Sequence, residues 1–288
     1  MREMQELNMN TSMKDVIAWY EKKTESIIGK YGPGPRVHFH TGLVEPDATP
    51  APNIDGLNRQ LVQSQENLLL EAARFWNAES HLCGTVLDVG CGLGGSSIFL
   101  AQEYEAHVHA LTNVPGHIPW ISHFVDQAGV ADRVEPILGD ACAVPGEQVY
   151  DSVMAIESSC YLDRADWFRH LVERVQQGGR VFIADCFALS DEVREPFDRY
   201  WLTRIGTVEE YTSTAEEEGF KMDGLLDLTS RTARFWELST LYSRRLLGSQ
   251  VPEREAERLR RSIRWQTQLL GMWNNGKIMC ALLRLVLS

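Results

Sequence analysis

Two periodicities alternate through the middle of the chain. Short apolar runs, TVLDVG (85 to 90), HVHALT (107 to 112), RVEPILG (133 to 139), DSVMAIE (151 to 157) and RVFIADCF (180 to 187), predict strands. The segments between them, SSIFLAQEY, WISHFVDQAG and RADWFRHLVERVQQGG, are each long enough for a crossover helix, the last closing at Gly178-Gly179. Strand and helix in alternation predict an α/β fold, a mainly parallel sheet covered by helices on both faces.

The flanks are less regular. Val16, Ile17, Trp19 and Tyr20 mark an amphipathic arm, followed by the Gly/Pro stretch YGPGPRVHFHTGLVEPDATPAPN and a helix from about Gly56 to Asn77. Residues 190 to 275 read as mostly helical, interrupted by a candidate strand KMDGLLDLT, and IMCALLRLVLS reads as a last buried strand. The predicted division is an arm and lid segment over 1 to 55, a ligand-binding core over 56 to 189, a helical lid over 190 to 275 and a final core strand over 276 to 288. The lid is expected over the carboxyl edge of the sheet, where open α/β folds bind ligands.

Composition narrows the function. The 288 residues are 44% hydrophobic and 24% charged, with a formal charge of -12, so a phosphate backbone would be repelled and nucleic acid is not an expected partner. No apolar run approaches the roughly 20 residues of a membrane helix, and the first residues lack a continuous apolar leader, which predicts a soluble, cytoplasmic protein. Six scattered cysteines without C-x-x-C spacing read as free thiols in a reducing compartment. The paired histidines His38, His40 and His107, His109 lack nearby Cys or acidic partners, so no metal is expected. The arm's apolar residues must be covered by this chain or a second copy, and a homo-oligomer is expected.

Candidate chemistry begins at LDVGCGLGG, Leu87 to Gly95, which follows a strand and precedes a helix. Gly90 and Gly92 let backbone approach a ligand, and the helix presents free N–H groups. A nicotinamide dinucleotide site uses similar glycines, but the second strand here ends in ALTNVPG, without the acid that normally meets the ribose. Asp88 suits an amino-acid group, and Asp140 beside Ala141 in GDACAVP suits an adenine, its amino group on the carboxylate and its ring on an apolar wall. These features favour S-adenosylmethionine over a dinucleotide.

From about residue 60 to 187 the chain resembles a class I S-adenosylmethionine-dependent methyltransferase, whose Rossmann-like sheet has seven strands. The resemblance implies Asp88, Gly90 and Gly92 around the methionine part, Thr112 and Asn113 at the ribose, and Asp140 and Ala141 at the adenine. RVHFHTGLV, LNRQLVQSQENLLLEAARFW and MAIESSCYLD further resemble the branch of sterol, tocopherol, cyclopropane and terpenoid C-methyltransferases, including bacterial prenyl enzymes of the teleocidin type. That implies Gln65, or Gln63 if the helix is shifted, beside the cofactor and Glu157 near the transferable methyl.

Two chemistries remain open. Methylation of an alkene leaves a tertiary cation, which carboxylates and aromatic faces stabilise while water is kept out. Glu157 would serve as carboxylate, with Trp19, Tyr20, Phe39, Tyr161, Tyr200, Trp201 and Trp236 as candidate walls around a small hydrophobic, prenylated substrate. Tyr200 and His40 stand with Glu157 as candidate catalytic residues. The cation then loses a proton, with Glu157 a candidate acceptor, or is captured by a π-system within the substrate. Alternatively the acceptor is an oxygen or nitrogen, with His40 or His117 as base, or the chain binds cofactor without catalysis. Glu157 also has a structural reading, as acceptor for a loop amide.

Overall fold

In the computed structural model, which describes residues 12 to 288, the apolar runs form β1 (Thr85–Val89), β2 (His107–Thr112), β3 (Val134–Leu138), β4 (Tyr150–Ile156), β5 (Val175–Ala188), β6 (Phe220–Asp227) and β7 (Ile278–Leu287). They make one sheet in the order β3-β2-β1-β4-β5-β7-β6. The first five pair in parallel; β7 runs antiparallel to β5, and β6 antiparallel to β7. β1 and β4 are buried almost throughout because helices cover both faces, which is why they read as continuous apolar runs.

The helices are α1 (Met13–Tyr31), α2 (Ile54–Trp76), α3 (Ala78–His81), α4 (Gly95–Glu103), α5 (Ile118–Ala128), α6 (Arg164–Val172), α7 (Arg194–Trp201), α8 (Val208–Glu217), α9 (Thr229–Leu247) and α10 (Glu253–Asn274). Capping sets several boundaries. Asn53 accepts from the Gly56 N–H at 2.7 Å to start α2, and Asn77, at φ 54°, ends it. α2, α4 and α5 pack on one face through Leu68, Trp76, Ile98 and Phe124. α6 and α8 pack on the other through Trp167, Phe168 and Tyr211. A third core, joining Phe197, Trp236, Leu269 and Trp273 to Cys186 and Cys280, seats α7, α9 and α10 over the carboxyl end of β5.

One departure from the sequence reading has a local cause. α6 stops at Val172, and Gly178-Gly179 belong to β5 instead of closing a helix. Val175 already pairs with Tyr150, and the register shifts before Arg180 meets Ser152; Gly178, at φ 78°, accommodates the irregularity. The candidate strand KMDGLLDLT forms β6, the outer strand, so between the roof helices α7 and α9 the chain leaves the roof to join the sheet. The arm is α1, in which Val16 is buried and Ile17, Trp19 and Tyr20 are half-buried. Among the described residues no helix is long and apolar enough to cross a membrane.

Candidate active site

The sheet order reverses between β1 and β4, so their following loops diverge and leave a crevice at the carboxyl edge. One cleft opens there, enclosing about 950 Å³ with its solvent-open mouth. β1 delivers Asp88 and the turn containing Gly90 and Gly92, whose φ values are 68° and 58°. A Cβ on Gly90 would stand 2.5 Å from the Ser158 Cβ, whereas one on Gly92 meets nothing within 4 Å. Gly92 therefore borders the space a ligand would fill.

Asp88 is buried, and its Oδ2 accepts from the Ser96 and Ser97 hydroxyls at 2.6 Å each, in the first turn of α4. Burial raises its pKa, with both serines opposing. Thr112 ends β2 and accepts the Val114 N–H at 3.2 Å, while the Asn113 amide reaches the Met13 sulfur at 2.9 Å. Asp140 Oδ1 accepts the Cys142 N–H at 2.9 Å, and Ala141 beside it is buried. Asp88, Thr112, Asn113, Asp140 and Ala141 line the cleft.

A second cavity, about 1080 Å³ including its open part, lies under the roof of α1, α7, α9 and α10. Trp19, Tyr200, Trp201 and Trp236 contribute to its walls. Trp201 lies 4.6 Å from the Tyr200 ring and 5.9 Å from that of Trp236, centroid to centroid. Five residues line both spaces: Tyr20, Phe39, His40, Glu157 and Tyr161. The Tyr20 and Tyr161 hydroxyls are 3.0 Å apart, joining α1 to the loop after β4.

Glu157 follows β4 directly, at φ 46°, a strained conformation for a residue with a side chain. Its N–H donates to the Ala184 carbonyl at 2.7 Å, and its Oε1 accepts the Thr41 N–H at 2.8 Å. Burial pushes its pKa up to about 7; the Thr41 hydrogen bond opposes this and the charge of Asp185 adds to it. The loop-amide reading is thus realised, on a carboxylate that also borders both cavities. His40 pairs its Nδ1 with the Thr41 carbonyl at 2.7 Å, leaving a buried Nε2 without a partner. Burial, then the neighbouring His38, lowers its pKa to about 3.

Other expected residues fall elsewhere. Gln65 lines neither cavity: its amide donates to the carbonyls of His40 at 2.7 Å and His38 at 3.3 Å, so it holds the loop bearing Phe39, His40 and Thr41. Gln63 is exposed and bonds to Asn67 at 3.2 Å. Tyr200 lines only the aromatic cavity, its ring 5.1 Å from that of Trp265, so it is a wall residue and does not border the cleft. His117 borders only the cleft, with Nε2 3.2 Å from the Thr24 hydroxyl and a pKa lowered by burial to about 4.

Residues 86 to 179 match a family model described as a methyltransferase domain. These residues carry a methyltransferase domain. Over 214 residues it is 24% identical to tocopherol O-methyltransferase, chloroplastic, of Arabidopsis thaliana, covering 69% of this chain and 62% of that protein. The chain thus spans less than two thirds of this relative's length. In structure it resembles geranyl diphosphate C-methyltransferase from Streptomyces coelicolor A3(2), with TM-score 0.75, 16% identity and coverage of 92% and 98% of the two chains. It also resembles a cyclopropane synthase from Mycobacterium tuberculosis, with TM-score 0.78, 14% identity and coverage of 97% and 99%. At such identity the structural likenesses establish the fold.

The residues of the cleft fit S-adenosylmethionine. Asp88 offers a buried carboxylate at one part, the open side of Gly92 leaves room beside the turn, and Asp140 with Ala141 pairs an acceptor with an apolar surface. Sequence reasoning missed Asp185, which borders the aromatic cavity. Its carboxylate accepts from the Ser159 hydroxyl at 2.6 Å and from the N–H groups of Cys160 and Cys186 at 3.0 and 2.8 Å. The signal was present in RVFIADCF, a carboxylate inside an apolar strand, the same oddity that marks Glu157. Trp273 and Lys30 also border this cavity and were missed because only helix packing turns them inward. Glu157, Cys186 and Cys280 have donor atoms within 4.8 Å of one another; the Cys280 contact and burial hold the Cys186 thiol strongly protonated, which weakens it as a metal ligand.

Proposed function

We propose that the chain is an S-adenosylmethionine-dependent C-methyltransferase acting on a prenyl double bond of a small hydrophobic molecule. The observation that carries this reading is the junction of a glycine-turn cleft with an aromatic cavity across a wall containing one half-buried carboxylate, Glu157. When bound in the cleft, S-adenosylmethionine supplies an electrophilic methyl group.

The chain's own residues then have to bind the alkene, keep water away and stabilise positive charge on the substrate. Trp201, Trp236 and Phe39 offer ring faces or edges to such a charge, worth about 0.5 to 2 kcal/mol for each well-placed face. Glu157 and Asp185 add two carboxylates at the floor. Of the two, Asp185 is occupied by three donors and keeps its place, whereas Glu157 accepts one N–H and has a pKa of about 7, which suits it to take the proton that the cation releases.

The unpartnered His40 Nε2, at the same junction, favours a second reading in which the acceptor is an oxygen or nitrogen. A pKa near 3 makes it a weak base for that task. Incubation with methyl-labelled S-adenosylmethionine and a panel of prenylated metabolites, followed by NMR of the product, decides between them. The proposal expects the label on carbon; label only on oxygen or nitrogen refutes it.

A further inference from the structure

The charges around the aromatic cavity are sorted by layer. Its floor holds the carboxylates Glu157 and Asp185, while its roof holds Lys23 and Lys30 from α1 and Arg258 from α10. In a chain of net charge -12, basic groups gathered on one wall of an apolar cavity require an explanation. Their partners do not supply it fully. Arg258 is engaged by Glu255 through Nε and Nη2 and by the Ser26 hydroxyl at 2.6 Å through Nη1.

The lysines are less satisfied. Lys30 Nζ has the Ser239 hydroxyl at 3.4 Å and the rings of Tyr31 and Tyr242 at 4.8 and 5.3 Å. Lys23 Nζ sits 5.1 Å from the Trp19 ring centroid. Neither forms an ion pair among the described residues, whereas Arg258 does. Burial lowers the pKa of both, that of Lys30 to about 8, with the positive charge of Arg258 also acting on each. An anion beside them would offset the repulsion from Arg258 and the cost of burying the two ammonium groups.

We propose that Lys23 and Lys30, backed by Arg258, form the site for a phosphate or diphosphate head group, so that the substrate is a prenyl diphosphate whose chain lies along the aromatic wall toward Glu157. After Glu255 offsets Arg258, two positive charges remain, which matches a multiply charged head group better than a single carboxylate. The arrangement rests on the function proposed above and extends it: roof cations fix the anionic end, and floor carboxylates face the end where positive charge develops. The head group meets the lysines directly, because the carboxylates that line the cavity, Glu157 and Asp185, lie at its floor and not beside them.

The test uses binding as well as turnover. The full chain saturated with S-adenosylhomocysteine is titrated with geranyl diphosphate, geranic acid and geraniol, in chelator, with tryptophan fluorescence as readout. The diphosphate should bind at least tenfold tighter than either other ligand, and the preference should shrink at least tenfold in Lys30→Met and Lys23→Met, and in high salt. Methionine keeps the apolar stem, and unchanged S-adenosylhomocysteine affinity shows that each variant is folded. Equal binding of diphosphate and geraniol, equal binding of diphosphate and geranic acid, a requirement for a divalent ion, or a preference retained in both variants overturns the proposal. If the diphosphate binds as expected but no carbon is methylated, the head-group site stands and the C-methylation reading fails. If a neutral prenylated acceptor is methylated on carbon and the diphosphate does not compete, the reverse holds.

Discussion

Replacing Glu157 by Gln removes one ionisation while keeping an oxygen that can accept the Thr41 N–H. The folded carboxyl has a pKa raised from 4.5 to about 7, chiefly by burial. Between those values the folded chain keeps a proton that the unfolded chain has released, so this group makes stability fall as pH rises from about 4.5, with the loss complete above about 7. At about 1.4 kcal/mol for each pH unit the full effect is roughly 3 kcal/mol. The side chain borders two cavities that admit water, so about 1 to 2 kcal/mol is expected. Glu157→Gln should therefore be as stable as the parent near pH 4.5 and more stable by that amount at pH 8, a rise in Tm of about 2 to 8 °C. Calorimetry of both proteins across this range measures the difference, and every other titrating group cancels. Curves that stay parallel from pH 5 to pH 8 refute the assigned ionisation. In the same variant turnover should fall by about 10²-fold or more, with cofactor affinity little changed.

Gly92→Val places a branched side chain at φ 58° in the open cleft; sinefungin affinity measured by calorimetry should fall at least tenfold, while strain lowers stability by about 1 to 3 kcal/mol. Tyr20→Phe leaves the Tyr161 hydroxyl without its partner and should cost about 1 to 3 kcal/mol in denaturant titration, with cofactor affinity less affected. Gln65→Leu removes both hydrogen bonds to the 38 to 40 carbonyls; limited proteolysis should detect a loosened loop, and the KM for S-adenosylmethionine should rise more than kcat falls. An unchanged proteolysis pattern would show that the loop is held by other contacts.

The parallel strands were legible because each carries its own apolar run, and β6 and β7 because their residues repeat the pattern near the end of the chain. The glycine turn was legible for a different reason: Gly90 and Gly92 occupy positive φ, a demand that marks the sequence locally. The end of α6 was not, since Gly178-Gly179 satisfy a helix terminus and a strand irregularity equally well. Gln65 points to another limit: a helix position gives its face, but only the fold shows that the amide ends on the loop carbonyls and does not reach the cleft. The cavity walls depend most on tertiary structure, because Trp201, Trp236 and Trp273 come from three separate helices.

One helix, α1, borders both spaces: Met13, Val16 and Tyr20 face the cleft, and Trp19, Lys23 and Lys30 face the aromatic cavity. Any outward swing of that helix unseals two exits together. Spent cofactor and methylated product should then depart in one gated event, so that a rapid first turnover is followed by a slower steady rate set by the helix. Rapid-quench kinetics without such a burst would mean that the two exits open independently.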